Sequence, residues 1–173
     1  MLLSTDRIYL RPPRATDAEA ILAWENDPEL QAYSDQDRSV TPEDVRAFLD
    51  EEISDIHIKG QLRLIICLRE DDSVIGAIDL YDFNARHLRC GVGINVDKEY
   101  RGTGLGTEAL GLLISYASGT LGIHQLWCTI PVSNLPSLRI FEKQGFVQAG
   151  ILSDWLLRQG GTAEDVVFCQ RRL

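Results

Sequence analysis

A short glycine-rich segment joins an apolar strand pattern to an amphipathic helix pattern in this 173-residue chain. The segment covers residues 96–108 and contains Gly102, Gly104 and Gly106 at alternate positions. Glycine permits positive φ and lets the backbone approach a ligand closely. The helix that follows adds unpaired N–H groups and the positive end of its dipole. A strand, a tight loop and a helix in this order predict a site for a phosphorylated ligand.

Two well-known phosphate-binding motifs do not fit this segment. A Walker loop ends in Gly-Lys-Ser/Thr, whereas Gly106 is followed by Thr107 and Glu108. A dinucleotide fingerprint has the order Gly-x-Gly-x-x-Gly and an acidic residue about 20 positions later. The next predicted strand, 124–130, carries no acidic residue at its end. The residues alone leave two interpretations open: a loop for another phosphorylated ligand, and a glycine-rich turn without a ligand.

The composition is that of a folded globular protein. Apolar residues make up 45% of the chain and charged residues 25%. The length suits a single domain over residues 1–173. The formal net charge of −9 argues against nucleic-acid binding and favours a cationic partner.

Cysteine usage and hydropathy favour a cytoplasmic location without a membrane partner. The four cysteines stand singly in apolar stretches and are predicted to be buried thiols: Cys67, Cys90, Cys128 and Cys169. They form no Cys-x-x-Cys pair and no ligand spacing with the three histidines, so we expect no metal site. The sequence has no signal-peptide pattern and no apolar run long enough to span a membrane.

Hydrophobic periodicity predicts a mixed α/β chain of the α+β type. The predicted strands cover residues 7–11, 62–69, 74–83, 88–96, 124–130, 146–157 and 164–170. The three strands between residues 62 and 96 follow one another directly, which predicts an antiparallel meander. Helices between the other strands are expected to cover the faces of a mixed sheet.

Capping residues mark the predicted helices. They begin at Thr16, Thr41, Thr107 and Ser133. Thr16 and Glu19 have the spacing of a capping box, and Thr41 precedes Pro42, which suits the first position of a helix. Gly145 suits a left-handed cap at the end of the last helix.

Two segments resemble motifs of the GNAT superfamily of N-acetyltransferases. The first is Arg101-Gly102-Thr103-Gly104-Leu105-Gly106, similar to the family pattern Arg/Gln-x-x-Gly-x-Gly/Ala. The second covers residues 134–146 and is similar to Asn-x-x-Ser-x-x-x-x-Glu-Lys-x-Gly-Phe. With the predicted elements between and before them, the resemblance covers nearly the whole chain. Residues 8–12 and 24–29 most resemble the branch that contains spermidine and ribosomal-protein alanine acetyltransferases.

The resemblance implies a GNAT-like, mostly antiparallel central sheet with helices on both faces, and acetyl-CoA as co-substrate. The glycine loop would hold the pyrophosphate, an N–H of residues 94–96 would bind the oxyanion, and Asn134 would contact the cofactor arm. The residues that it assigns to acetyl-CoA are Ile94, Asn95, Val96, Arg101, Gly102, Thr103, Gly104, Leu105, Gly106, Thr107, Asn134, Arg139 and Lys143.

One position departs from the family pattern. Many members have a tyrosine at the position of Phe141, which protonates the CoA thiolate. Phenylalanine has no proton to give, so solvent, Ser137 or Tyr116 would replace it, and we take Ser137 as a catalytic candidate. Phe141 itself is open to a second interpretation, a core residue on the inner face of its helix.

A second catalytic need is a base, because an alkyl amine has a pKa near 10.4 and is almost fully protonated at neutral pH. Asp79 and Asp82 interrupt the apolar strand 77–83. Because successive side chains of a strand alternate between the two faces of the sheet, Asp79 and Asp82 are expected on opposite faces unless a bulge intervenes. We select Asp79 as the base and Asp82 as a substrate contact; the alternative is a carboxylate on a solvated face.

Acidic residues near the first two helices complete the predicted acceptor site. Glu25 and Asp35, with Asp37 nearby, are candidates for a cation-binding mouth bordered by the polar loop 29–40; the alternative is that they are solvated acids. We therefore predict an acetyl-CoA-dependent N-acetyltransferase that uses direct transfer in a ternary complex. A polyamine or other small amine is favoured over a protein amino terminus as acceptor. Two alternatives to this function stay open: a noncatalytic acyl-CoA-binding module of the same fold and an unrelated nucleotide-binding fold. The formation of a homo-oligomer also stays open.

Overall fold

The computed structural model of this protein describes residues 3–32, 39–50, 55–158 and 160–173. Within these residues seven strands form one sheet, in the order β1-β2-β3-β4-β5-β7-β6. The strands are β1 (Ile8–Arg11), β2 (Leu62–Leu68), β3 (Val74–Asn84), β4 (Arg89–Val96), β5 (Gln125–Pro131), β6 (Val147–Leu157) and β7 (Ala163–Arg172). The helices are α1 (Ala18–Glu25), α2 (Pro28–Gln31), α3 (Pro42–Leu49), α4 (Ile56–Lys59), α5 (Leu105–Gly119) and α6 (Leu135–Lys143).

The predicted antiparallel meander is confirmed. Strand β2 pairs antiparallel with β3, and β3 pairs antiparallel with β4. Strands β4 and β5 run parallel, connected by the crossover helix α5, and the remaining pairs are antiparallel. The sheet is therefore mixed and mostly antiparallel, as predicted.

Helices cover both faces of the sheet, which confirms the predicted fold class. On one face, the apolar side of α5 packs against alternate residues of the central strands, such as Ile78, Leu80 and Val92. On the other face, Ile21 of α1 and Val45 of α3 pack against Ile65 and other residues of the strand pair β2–β3. Period-two alternation within each strand supplies one apolar side to each layer.

The cysteine prediction is also confirmed. All four cysteines are buried and free. Burial raises the pKa of the Cys90 thiol to about 12, so this thiol is neutral in the core. Among the described helices, none has the length and apolar character needed to cross a membrane.

The beginning of the first helix differs from the prediction. Thr16 lies within a single 3-10 turn, and α1 begins at Ala18, so the predicted Thr16–Glu19 capping box is wrong. The local contact is made instead by Asp17, whose carboxylate accepts hydrogen bonds from the Arg14 N–H at 2.7 Å and from Arg11. Its buried ion pair with Arg11 fixes the chain here more strongly than an exposed threonine cap can.

The other helix ends agree more closely with the sequence. Thr41 and Asp44 form a reciprocal capping box with Pro42 at the first helical position, as the cap and proline predicted. Gly145 follows α6 with φ +77°, the predicted left-handed conformation. Helix α5 begins at Leu105, two residues before the predicted start, because the loop glycines already complete the turn.

Candidate active site

The parallel strands β4 and β5 separate part-way along their length. Their ladder contains three pairs and ends at Gly91 and Trp127, although β4 continues to Val96 and β5 to Pro131. The Asp97 N–H donates to Ile75 O of β3 at 2.9 Å. Because backbone groups alternate along a strand, Ile94 points its N–H and C=O away from β3 and into the gap beside β5. The gap therefore exposes a backbone donor at the position that the resemblance assigned to the oxyanion.

The glycine loop lies directly after this open edge. Gly102 and Gly104 have φ values of +77° and +87°, which L side chains rarely adopt. A Cβ added at Gly102 would meet no atom within 4 Å, so this side of the loop is open. Helix α5 starts at Leu105, and its first-turn N–H groups have no carbonyl partner within the helix. The loop and helix start are thus suited to an anionic group.

Gly106 has a packing role in this geometry. An added Cβ would lie 3.4 Å from Ile140 Cδ1 and 3.5 Å from Val96 Cγ2. Gly106 therefore lets the first turn of α5 pack closely against both β4 and α6. This contact places α6, at Ile140, beside the first turn of α5.

Arg101 and Thr103 make contacts that shape the loop. The Arg101 Nε donates to Val96 O at 2.8 Å, and its Nη1 donates to Glu29 Oε1 at 2.8 Å. The Thr103 hydroxyl donates to Tyr100 O at 2.6 Å. The Lys98 ammonium and the Arg101 guanidinium hold the pKa of Glu29 below its usual value. Glu29 thereby connects α2 to the start of the glycine loop.

The residues predicted on α6 divide into a capping group and an exposed group. Asn134 precedes the helix, and its Oδ1 accepts the Ser137 N–H at 3.2 Å. Ser137 is half-buried, and its hydroxyl has no hydrogen-bond partner among the described residues. Arg139 and Lys143 are exposed one turn apart. Thr107, also assigned to the cofactor, is half-buried in the first turn of α5.

Phe141 lies in the core. Its side chain is 3% exposed and meets the Phe146 ring edge-on, with centroids 4.9 Å apart. Tyr116 lies near the other end of α5, about 16 Å along the helix from Leu105. Of the two named side chains that could replace the family tyrosine, Ser137 is therefore nearer to the loop.

The predicted base Asp79 is held by Arg63, which is not among the predicted site residues. Arg63 donates from Nε to Asp79 Oδ1 at 2.8 Å and from Nη2 to Oδ2 at 3.0 Å. Its Nη1 donates to Glu25 Oε1 at 2.5 Å. Burial alone would lower the pKa of Arg63, but the two carboxylates outweigh it and raise that pKa above its usual range. Arg63 thus brings together Glu25 and Asp79, two of the predicted site residues.

Asp79 also lies close to the open edge of β4. It is the register partner of Gly93, the residue before Ile94. Its side chain is 28% exposed, so solvent or a ligand can reach the pair. Both of its carboxylate oxygens accept hydrogen bonds from Arg63. The role of Asp79 as the base stays a prediction.

The other two substrate candidates are not brought into this cluster. Asp82 is exposed and has φ +51° within an irregularity between Tyr81 and Asn84, the bulge that period two alone could not exclude. Asp35 lies outside the described residues, as does Asp37.

Asn95 carries an unsatisfied donor at the site. It pairs with Ala77 on β3, and its side-chain Nδ2 is buried without a hydrogen-bond partner among the described residues. A buried donor without a partner costs free energy, so such groups tend to mark places where a ligand or water binds. Asn95 is therefore suited to the ligand contact that the resemblance implies.

The residues missed from the sequence depend on strand register. Arg63 and Asp79 are direct cross-strand partners, so an aligned meander would have shown two opposite charges side by side. Trp24 donates from Nε1 to Asp97 Oδ1 at 2.6 Å, which joins α1 to the end of β4. The sequence indicates this contact only through a tryptophan on the apolar face of a predicted helix.

Comparison with known proteins agrees with this geometry. The acetyltransferase (GNAT) domain family matches residues 7–147, which include the separated strands and both motif segments. The chain belongs to the GNAT acetyltransferase family. The probable N-acetyltransferase YjcK of Bacillus subtilis is 31% identical over 87% of this chain and 86% of its own length. The chain is thus an N-acetyltransferase, and members of this family use acetyl-CoA.

Two solved structures share the GNAT fold with this acetyltransferase. Spermidine N-acetyltransferase from Vibrio cholerae, in complex with CoA and spermine, has a TM-score of 0.86 at 19% identity, covering 97% of this chain and 96% of that one. The ribosomal-protein-S5-alanine acetyltransferase of Vibrio fischeri has a TM-score of 0.83 at 20% identity, covering 99% and 96%.

The residues of this GNAT protein fit acetyl-CoA. Gly102 offers an open, positive-φ loop, Ile94 an open strand edge and Asn95 a buried donor without a partner in the part of the chain that the structure describes. The loop and the first turn of α5 would hold the pyrophosphate, and the β4 edge would hold the pantetheine arm. When bound, acetyl-CoA supplies the acetyl group as an activated thioester.

Proposed function

We propose that this acetyltransferase transfers the acetyl group directly to a small primary amine in a ternary complex. The observation that carries the proposal is the position of the Glu25–Arg63–Asp79 cluster beside the open edge of β4. Asp79 is the register partner of Gly93, and the Ile94 N–H next to it points into the gap. A carboxylate and a backbone donor at adjacent positions suit a nucleophilic amine and a polarised carbonyl.

On the acceptor side, Asp79 takes the proton of the amine, directly or through one water. Arg63 fixes the direction of this carboxylate through two hydrogen bonds. The 28% exposure of the Asp79 side chain gives the amine or a water access to it. Glu25 shares the same guanidinium and contributes to binding the ammonium form of the acceptor.

On the leaving-group side, Ser137 is proposed to relay a proton from water: its hydroxyl proton passes to the thiolate while the hydroxyl oxygen takes a proton from a water molecule, which leaves as hydroxide. It lies in the first turn of α6, which Ile140 and Gly106 hold against the start of α5. A thiol with a pKa near 8.5 leaves readily, so this donor adds to the rate without being indispensable.

In this proposal, small amines and polyamines are favoured over protein amino termini as acceptors. Among the relatives, spermidine N(1)-acetyltransferase of Vibrio cholerae is 25% identical over 56% of this chain and 56% of its own length. A cytoplasmic setting is part of the proposal, and the four free, buried thiols support it.

Two-substrate steady-state kinetics test direct transfer. Initial rates are measured at several fixed amine concentrations while acetyl-CoA is varied. A ternary complex gives intersecting reciprocal plots. Parallel plots would indicate a covalent acetyl-enzyme and would overturn the proposal.

A homo-oligomer is proposed as well. Strand β6 is an edge of the sheet, and it carries exposed apolar side chains that include Val147, Ile151 and Leu157. Exposed apolar edge strands commonly pair with another chain. Light scattering on the purified protein and on Ile151→Asp tests this: a monomeric mass for the unchanged chain would refute it.

A further inference from the structure

Three aromatic rings form a continuous row across the sheet beside the candidate active site. Tyr81 of β3 meets Trp127 of β5 edge-on, with ring centroids 5.2 Å apart. Trp127 is stacked on Phe168 of β7, with centroids 5.8 Å apart and an interplanar angle of 19°. All three side chains are only partly buried. We call this set, Tyr81, Trp127 and Phe168, the aromatic row.

The aromatic row lies on the same face of the sheet as the Arg63–Asp79 pair. Asp79 and Tyr81 are two positions apart on β3, before the irregularity that follows Tyr81. Residues two apart on a strand point to one face. The neighbouring residues Leu126 and Cys128 pack into the α5–α6 core, so Trp127 between them faces the other way. The row therefore shares a face with the proposed proton acceptor.

The row also meets the point at which β4 and β5 separate. Trp127 pairs with Gly91 in the last pair of the ladder. A Cβ on Gly91 would lie 2.4 Å from the Tyr81 ring, and one on Gly93 would lie 3.8 Å from it. Glycine at these positions lets the Tyr81 ring lie over β4. Ile94 is the residue after Gly93, so the row borders the open backbone edge.

The two charge clusters near the gap differ in the sign of their net charge. Glu25 and Asp79 share Arg63, whereas Glu29 is paired with both Lys98 and Arg101. The first cluster therefore has two carboxylates and one cation, a net charge of −1, and the second has one carboxylate and two cations, a net charge of +1. One ammonium beside Asp79 would neutralise the first cluster, and an apolar group would match the rings. The further ammonium groups of a polycation would find no other unmatched carboxylate in this cluster.

We propose that the acceptor is a monoamine with a flat aromatic group, an arylalkylamine, whose ring lies on the aromatic row. This inference rests on the proposed function and narrows its acceptor class. The ligand ring packs against the exposed ring edges of the aromatic row, and the amine reaches Asp79 and the Ile94 edge. Aromatic stacking, edge-to-face contact and burial of the ring supply the discrimination. Tyr81, Trp127 and Phe168 then determine specificity.

A matched set of acceptors tests this directly. Initial rates are measured with 2-phenylethylamine, 2-cyclohexylethylamine, ethylamine and spermidine at saturating acetyl-CoA. The expected kcat/KM for 2-phenylethylamine exceeds that for spermidine and for ethylamine by at least about tenfold. The cyclohexyl analogue, which buries a similar area without a π face, is expected to fall between them. Equal values for the four amines, or a preference for spermidine, would overturn the inference.

Substitutions test whether the aromatic row is responsible for the acceptor preference. Trp127→Leu is expected to raise KM for 2-phenylethylamine about tenfold, with the rate on ethylamine and the affinity for CoA changed less than twofold. Trp155→Leu, at an exposed tryptophan on β6, is the control and leaves all values unchanged. If Trp127→Leu does not fold, Phe168→Leu replaces it, with thermal unfolding measured alongside. An equal loss on all amines would contradict the specificity role.

A binding measurement separates this inference from the proposed function. Quenching of tryptophan fluorescence by 2-phenylethylamine, recorded in the Trp155→Leu background, is expected to disappear in the Trp127→Leu variant of that background. Acetylation of spermidine without such quenching would refute the inference and leave the proposed function standing. Failure to acetylate any amine, with CoA still bound, would refute the proposed function itself.

Discussion

Arg63 binds Asp79 through two parallel hydrogen bonds, from Nε to Oδ1 at 2.8 Å and from Nη2 to Oδ2 at 3.0 Å. The two residues are direct partners on neighbouring strands. A fork-to-fork pair of this kind fixes the orientation of a carboxylate more tightly than a single contact does. The pair holds the Asp79 carboxylate in one defined direction, which is a property required of a positioned base.

Replacing Asp79 by asparagine tests this role. We expect Asp79→Asn to lower kcat/KM for the amine by about 10²-fold or more, because general bases contribute about 10²–10⁴-fold. The affinity for CoA, measured by calorimetry, is expected to stay within twofold. The control Asp82→Asn removes an exposed carboxylate of the same strand and is expected to keep nearly full activity. Equal losses in both variants would contradict the assignment.

The glycine loop is tested by a pair of alanine substitutions. Gly102 and Gly122 both have positive φ, +77° and +65°, and a Cβ would meet nothing within 4 Å at either position. Each substitution is expected to cost about 1–2 kcal/mol of unfolding free energy from backbone strain. Only Gly102→Ala is expected to weaken CoA binding, by about tenfold, because only Gly102 belongs to the loop. Calorimetric titration together with urea unfolding separates the two effects, and equal CoA affinities in the two variants would exclude a binding role.

Asn95 offers a test in which stability and activity change in opposite directions. Asn95→Leu removes a buried donor that has no partner among residues 3–32, 39–50, 55–158 and 160–173, so the unfolding free energy is expected to stay constant or rise by about 1 kcal/mol. The kcat/KM for acetyl transfer is expected to fall about tenfold. In the control, Asn26→Leu, three hydrogen bonds to Leu22 and Val40 are lost and stability should decrease. A loss of stability in Asn95→Leu would mean that the amide serves the fold.

The buried pair Arg11–Asp17 predicts a pH dependence of stability. Burial alone would raise the pKa of Asp17, but hydrogen bonds from Arg11 and from the Arg14 N–H outweigh it and lower that pKa. A carboxylate whose pKa is lower in the folded state than in the unfolded state stabilises the protein at pH values above its ordinary pKa near 3.9. This stabilisation is lost as the pH falls through the folded-state pKa. Asp17→Asn is expected to cost about 3 kcal/mol at pH 7, because it leaves a buried guanidinium without its charge partner. Urea unfolding between pH 7 and pH 2 checks this: the difference between the two proteins should shrink below about pH 4.

Local sequence signals predicted those features that depend on local chemistry. The loop glycines, the Thr41 cap and the strand alternation each act through neighbouring residues, and these elements were found where the sequence indicated. The short helices α2 and α4 were missed because four residues carry too little periodicity, although Asp27 and Asp55 cap them.

Features that depend on register could not be read from one sequence. The β4–β5 ladder ends at Gly91 and Trp127, and neither residue marks that end by itself. The Arg63–Asp79 pair and the aromatic row are both cross-strand arrangements, visible only once β2, β3, β5 and β7 are aligned. Phe141 needed the same information, because only the packing of α6 on Phe146 identifies it as a core residue.

The most direct test of the proposed function is amine-dependent release of CoA thiol. Acetyl-CoA is incubated with the protein and a panel of primary amines, the free thiol is measured, and the product mass is determined. Release that depends on the amine, with one acetyl group added to it for each thiol formed, is the predicted result. No release with any amine, from a protein that still binds CoA, would contradict the account and leave a noncatalytic acyl-CoA-binding module of the same fold.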